Sequence, residues 1–252
     1  MNMETKTDTL RSIARQLKLS GLSAEMDNLL VKAQKEKCSF IDFAMKMLGA
    51  EIDYRNRQNL IKRLKMAKLP ANHDLDLWQD NQQKGISKQQ LTQLRECHWL
   101  EQKFNIVLMG PSGTGKTFIA AGLCNDALLK GYRACFRTMD QLIYMLKMKD
   151  ITKSAAREYT HLLKADLLVV DDIMMFPMEK KQAVSLFNLV DHLHQGASMI
   201  VTTNKSPDEW VKVLDDEVLA TAILDRLLYK CEIVKLSGKS FRLDNRKTIF
   251  KS

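Results

Sequence analysis

Residues 105–117 run Asn-Ile-Val-Leu-Met-Gly-Pro-Ser-Gly-Thr-Gly-Lys-Thr, an apolar strand that passes straight into a glycine-rich loop ending in Lys and Thr. Few patterns restrict a fold more. The spacing G-x-x-x-x-G-K-[ST] requires a strand, a tight phosphate-cradling turn and a helix in that order. Gly110, Gly113 and Gly115 lack the Cβ that would keep backbone N–H groups from phosphate oxygens, and Pro111, Ser112 and Thr114 complete the turn. Lys116 is placed to reach β- and γ-phosphates, and Thr117 to offer a hydroxyl to Mg²⁺. A helix over Lys116–Lys130 would aim the positive end of its dipole at the same anion. The expected ligands are a nucleoside triphosphate and Mg²⁺.

The pattern around this loop alternates. It predicts a strand at 105–109, a helix at 116–130 ended by Gly131, a strand at 132–136 and helices over 140–164. A strand at 167–170, a helix at 179–194 and a strand at 199–203 follow. The strands are too apolar to face water, so a parallel sheet covered by helices on both sides is expected. The first seventy residues have helical periodicity alone, with Leu10, Ile13 and Leu17, then Leu22, Met26 and Leu29, then Phe43, Met47 and Ala50. Ser39 with Asp42 three residues on opens a long helix that Pro70 closes. Two domains follow, a helical one over 1–69 and an α/β one over 70–252. Between Pro70 and Lys103 lies a polar connector with a helix from Ser87 to about Leu100.

Net charge is +9 over 252 residues, which favours an acidic partner such as nucleic acid. The cations concentrate on the long helix: Arg55, Arg57, Lys62, Arg63, Lys65 and Lys68 follow one another with no acidic residue between them. A solvated helix face normally mixes signs at i, i+4, so a one-sign run points to the phosphate backbone of duplex DNA. The five cysteines are scattered and never form C-x-x-C, which argues against a disulfide framework or zinc site and fits a reducing cytoplasm. His192 and His194 lie two apart on a helix, on different sides, and read as packing residues. No apolar run approaches bilayer length and the N-terminus opens no secretory signal, so no membrane partner is expected.

A phosphate loop needs a metal anchor, a group that handles water and a group that senses the γ-phosphate. The strand Leu167–Val170 delivers Asp171 and Asp172 at its C-terminal end, where open α/β sheets bind ligands. Asp171 is suited to hold Mg²⁺ with Thr117. Asp172, pointing the other way, is suited to polarise the attacking water. The strand Met199–Thr203 ends at Asn204, whose amide can bond both the water and the γ-phosphate. Arg226 lies in an amphipathic segment, where it either makes a salt bridge with neighbours or reaches the γ-phosphate of an adjacent subunit.

With these residues in place the chain resembles the IstB-type AAA+ ATPases, helper proteins encoded beside transposases in bacterial insertion sequences. It is more distantly similar to the DnaC helicase loaders. The resemblance rests on Gly110–Thr117, the paired aspartates, Thr202-Thr203-Asn204, Pro207–Trp210, Ile223–Leu227 and Gly238–Arg242. It implies that Asp171 and Asp172 form Walker B, that Asn204 is sensor 1, Arg226 the arginine finger and Arg242 the sensor 2 residue. It also implies a reduced AAA+ module lacking the full helical lid. Where the family mostly carries Glu, Asp172 is shorter, which implies slow hydrolysis. The function so implied is an ATP-dependent factor that forms a homo-oligomer on duplex DNA and recruits or activates a transposase. The alternative is a loader of a replicative helicase. A small-molecule kinase would leave Asn204, Arg226 and Arg242 without a role.

Overall fold

The computed structural model describes residues 3–78, 85–175, 178–214, 216–238 and 240–241. Contacts divide the chain into two compact units, Met1–Lys62 and Arg63–Ser252.

The first unit is helical. It comprises α1 (Met3–Gln16), α2 (Ser20–Glu36) and the greater part of α3 (Phe40–Ala67). Its core is small: Ala14, Leu22 and Met26 are buried, with Leu19, Leu29, Leu30 and Met47 packed around them. A buried carboxylate supplements it. Glu51 on α3 accepts Leu22 N–H at 3.0 Å in the first turn of α2 and Arg55 Nε–H at 2.7 Å. Burial alone would raise the Glu51 pKa, but these donors outweigh it and hold the carboxyl below its ordinary value. Gly21 permits the approach, since a Cβ there would lie 2.3 Å from Tyr54 Cβ. As expected, Ser39 caps α3, accepting Asp42 N–H at 3.2 Å while its hydroxyl donates to the Asp42 carboxylate at 2.6 Å.

The second unit is built on a five-stranded sheet in the order β2-β3-β4-β1-β5, parallel throughout. The strands are β1 (Asn105–Met109), β2 (Ala134–Thr138), β3 (Leu167–Asp171), β4 (Ser198–Thr203) and β5 (Cys231–Lys235). The helices are α4 (Lys88–Arg95), α5 (His98–Glu101), α6 (Lys116–Leu129), α7 (Met139–Met148), α8 (Lys153–Leu162), α9 (Lys180–Leu193), α10 (Pro207–Leu214) and α11 (Glu217–Leu228). Successive strand residues serve opposite cores, as the pleat dictates. Leu167 and Val169 pack with Ile119, Leu123 and Leu128 of α6, whereas Leu168 and Val170 pack with Leu142, Leu186 and Ile223 of α7, α9 and α11.

The parallel α/β architecture matches the expectation, with three corrections. The edge strand β5 was not anticipated, because two of its five residues are exposed side by side and the usual alternation is lost. The second strand begins at 134 rather than 132, since Gly131 adopts φ +99° and Tyr132 N–H bonds back to Ala127 O, prolonging the turn after α6. The helix expected over 87–100 is broken at Cys97, whose φ of +62° separates α4 from α5. The division between units falls inside α3 at Lys62, and Leu64 and the fully buried Ala67 belong to the core around α6.

Candidate nucleotide site

Sheet order sets the site. β3, β4 and β1 are neighbours, so the residues following each emerge together at the C-terminal edge. Gly110 N–H donates to Thr203 O at 3.2 Å, which brings the start of the phosphate loop beside Asn204. Asn204 is exposed there.

The loop is enclosed by Ser240 and Phe241, quoted in the sequence only as part of the Gly238–Arg242 match, and by Trp78, which sequence reasoning missed. Gly113 has φ +82°, and a Cβ on it would lie 2.0 Å from Ser240 Oγ; its carbonyl accepts Phe241 N–H at 3.0 Å. A Cβ on Gly115 would lie 2.6 Å from the indole of Trp78, which stacks on Phe118 with ring centres 6.0 Å apart. Thr114 Oγ1 donates to Pro111 O at 2.9 Å and stiffens the turn. Lys116 is buried, its ammonium donating to Gly110 O at 2.7 Å and Pro111 O at 2.8 Å. The lysine is thus folded onto the loop whose anion it is expected to meet.

Asp171 closes β3 as a buried carboxylate. Its Oδ1 accepts two hydroxyls, Thr117 Oγ1 at 3.0 Å and Thr202 Oγ1 at 2.6 Å. Burial is the main influence on its pKa and raises it, Asp172 adds to the rise, and the two hydroxyls and Lys116 oppose it. Sequence reasoning named Thr202 beside Asn204 but gave it no role. The Thr202 hydroxyl also accepts Asp172 N–H at 2.8 Å, so one side chain fixes both aspartates. Asp172 sits at φ +55° with its side chain exposed. It lines a cavity of about 370 Å³ together with Thr138, Ile143, Tyr144, Lys147 and Met175. The two carboxylates therefore face different surroundings, with Asp172 in a left-handed turn just past the end of β3.

Arg226 is held by its own chain. Its Nε donates to Asp191 Oδ1 at 2.5 Å, its Nη1 to Ala222 O at 3.0 Å, and its guanidinium lies 4.6 Å from the Phe187 ring centre. Its backbone carbonyl meets His194 Nδ1 at 3.0 Å, and the His194 ring packs on Tyr229, a packing role for that histidine. The structure therefore gathers Gly110–Thr117, Asp171, Asp172 and Asn204 at one edge and places Arg226 in a separate cluster with α9. Arg242 lies outside the described residues.

The basic run needs a correction. Arg55 is neutralised by Glu51 one turn earlier and also donates to Lys18 O at 3.2 Å. Lys68 pairs with Glu158 at 2.7 Å, and Arg63 donates to Gly131 O at 3.0 Å. Arg57, Lys62 and Lys65 are exposed and form no ion pair among the described residues. The same residues hold no cluster of three or more His, Cys, Asp or Glu able to bind a metal, and no helix long and apolar enough to cross a membrane.

Known proteins share both the sequence and the fold. Residues 12–249 match the sequence profile of the family described as IstB-like ATP binding protein. An ATP-binding protein named for an IS21-like insertion sequence of Bacteroides fragilis is 43% identical over 237 residues, covering 94% of this chain and 90% of that protein. A second, named for insertion sequence IS21 of Pseudomonas aeruginosa, is 32% identical over 238 residues, with 94% and 90% covered. Among solved structures, the DnaC helicase loader superposes with a TM-score of 0.54 at 19% identity, covering 66% of this chain and 98% of that one. AMPPCP-bound DnaA from Aquifex aeolicus gives 0.54 at 17% identity, covering 69% and 53%. At those identities the likeness is one of fold.

Proposed function

The chain belongs to the IstB-like ATP binding protein family, and on that footing we propose that it hydrolyses ATP, oligomerises on duplex DNA and recruits or activates a transposase. The observation that carries this reading is the clasp in which Thr117 and Thr202 both donate to Asp171 Oδ1 beside the phosphate loop. Thr117 and Asp171 are hard oxygen donors of the kind Mg²⁺ takes. Thr117 and Asp171 would hold Mg²⁺ only together with a bound nucleotide, since two protein groups are too few for a closed metal site. When bound, Mg²⁺ supplies positive charge against the β- and γ-phosphate oxygens.

The chain's own residues divide the remaining work. Lys116 exchanges its two loop carbonyls for phosphate. Asp172, held open to solvent by Thr202, accepts a hydrogen bond from the attacking water. Asn204 orients that water from the end of β4. Arg226 serves the γ-phosphate of a neighbouring subunit, and Arg242 the sensor 2 role. Arg57, Lys62 and Lys65 contact DNA phosphates. The relatives named for insertion sequences support a mobile-DNA setting and hence a transposase partner.

The test is DNA affinity against salt, with ATP and with ADP. Each phosphate contact steepens the log–log slope by about 0.9. Tighter binding with ATP and a slope reduced by Arg57→Ala, Lys62→Ala and Lys65→Ala are the expected results. Equal affinity with both nucleotides and an unchanged slope would overturn the DNA-assembly reading in favour of a loader whose partner is a protein.

A further inference from the structure

The turn that carries Asp172 out of the sheet is strained. The β3–β4 ladder ends at Val170 paired with Val201, and past it the chain passes twice through the left-handed region, at Asp172 with φ +55° and at Met174 with φ +58°. Neither is glycine, and for a residue with a Cβ that conformation is unfavourable, because the Cβ crowds the following carbonyl oxygen. An aspartate can offset this with local hydrogen bonds, whereas Met174 is apolar and wholly buried. Residues in such conformations persist only where their surroundings over-determine them.

The surroundings that hold this turn come from the end of β4. Thr202 Oγ1 accepts Asp172 N–H at 2.8 Å, and Thr202 O accepts Ile173 N–H at 2.9 Å. Lys205 supplies the third tie, donating from Nζ to Met175 O at 3.0 Å. Its own backbone is fixed, since its N–H donates to Thr203 Oγ1 at 3.1 Å. A surface lysine ordinarily keeps its ammonium in water and its stem mobile, so one held on a main-chain carbonyl gives up conformational freedom for that contact. The Thr202 bonds grip the turn next to the sheet, and Lys205 grips its far end. Asp172 and Met175 also line the same cavity of about 370 Å³, so a shift of Met175 would change the surroundings of the carboxylate directly.

We propose that Lys205 is a positioning residue for ATP hydrolysis: its hydrogen bond to Met175 O holds the strained turn 172–175 so that the Asp172 carboxylate faces the attacking water. This rests on the reading of Asp172 as the group that meets that water. Lys205 itself touches neither the nucleotide nor the water. It follows Asn204 directly in the chain, so the segment that carries the proposed γ-phosphate contact also carries the tie that aims the base. Without the tie, Asp172 and Ile173 stay bonded to Thr202, but the strain at Met174 is free to relax by moving Met175, and the carboxylate loses its fixed aim.

ATP turnover and ATP affinity of the full chain in Mg²⁺ test it, in Lys205→Met, Lys205→Arg, Asp172→Asn and the double variant Lys205→Met with Asp172→Asn. Lys205→Met keeps the stem and loses the donor, and should lower kcat about 10- to 100-fold, the cost of a reacting group misplaced by up to about 1 Å. Its KM, ATP affinity and thermal midpoint should stay at wild-type values. Lys205→Arg should keep most of the turnover, because a guanidinium N–H can donate to the same carbonyl. In the Asp172→Asn background, Lys205→Met should cost nothing further, since a residue that acts through another has no effect once that other is gone. Losses that multiply in the double variant, or weaker ATP binding in Lys205→Met, would put Lys205 on the nucleotide itself and overturn the proposal. Full turnover in Lys205→Met beside a slow Asp172→Asn would overturn it and leave the reading of Asp172 standing. Unchanged turnover in Asp172→Asn would instead remove that reading, and the proposal with it.

Discussion

Arg226 Nε donates to Asp191 Oδ1 at 2.5 Å, across the packed pair α9 and α11, with the guanidinium about one quarter exposed. To serve a neighbour's γ-phosphate, as proposed, that guanidinium must first leave Asp191. If Arg226 acts in trans, Asp191 competes for it, and Asp191→Asn should raise ATP turnover severalfold at equal ATP occupancy. Arg226→Ala should lower turnover by on the order of 10³, the usual weight of an arginine supplied to phosphoryl transfer. Mixing Arg226→Ala with Lys116→Ala should restore part of the activity, since each lacks what the other supplies. Steady-state ATPase assays on the single and mixed proteins decide it. A loss in Asp191→Asn equal to that in Arg226→Ala would make the pair a structural brace.

Binding and hydrolysis should separate at the other end of the sheet. Lys116→Ala removes the cation expected to meet the phosphates and should weaken ATP binding at least about 100-fold, read by fluorescence titration in Mg²⁺. Asp172→Asn leaves Asp171 and Thr117 untouched, so ATP should stay bound while turnover falls roughly 10²–10⁴-fold, the ordinary contribution of a general base. Unchanged turnover in Asp172→Asn would remove that residue from the proposed chemistry.

The parts of this site legible in the sequence are those that a short segment encodes by itself. The phosphate loop and the paired aspartates are local patterns tied to a strand end, and the strand–helix alternation identified the sheet. Thr202 was not legible in its role, because its bond to Asp171 arises from the β3–β4 pairing. The same holds for Asp191 and Arg226, which meet only through the packing of α9 on α11. Trp78 and Ser240 lie against the loop from distant segments; nothing in its own neighbourhood marks Trp78, and the Gly238–Arg242 stretch marked Ser240 without revealing its contact with Gly113. The neutralisation of Arg55 is different. Glu51 is four residues earlier on the same helix, and a run read from residue 55 onward begins one turn too late to include it.

The most buried cation among the described residues makes a stability prediction. Arg137, with its side chain 2% exposed, donates Nε to Glu158 Oε1 at 2.6 Å and Nη1 to Ala67 O at 2.9 Å. It thereby caps the last turn of α3, where Lys68 turns to φ +58°. Arg137→Met would leave the Ala67 carbonyl and half of the Glu158 pairing unmet, costing ~3 kcal/mol. The thermal midpoint of the second unit should fall by about 6–12 °C in calorimetry. Adding Glu158→Gln should recover part of the loss, because Arg137→Met leaves that partly buried carboxylate with the exposed Lys68 as its remaining cation. No recovery would mean that lost packing, rather than the half-paired carboxylate, dominates.

A last prediction concerns pH at the opposite edge of the sheet. Asp166, just before β3, accepts Arg133 Nη2–H at 2.7 Å, Nε–H at 3.1 Å and the Arg133 backbone N–H at 2.8 Å, stapling β2 to β3. The Arg133 guanidinium is the main reason that its pKa lies below the ordinary aspartate value, with burial acting against it. A carboxyl with a depressed folded pKa contributes stability above its unfolded pKa and loses it as pH falls through the folded one. Arg133 is half exposed, so the pair is worth only ~1 kcal/mol, or about 2–4 °C in a unit of this size. Asp166→Asn should show that deficit at neutral pH, and the gap should close as pH drops through and below the ordinary aspartate range. Thermal unfolding of both proteins across that range is the measurement. A gap that persists in acid would assign the effect to hydrogen-bond geometry instead of charge, since a protonated Asp166 and an asparagine carry the same net charge.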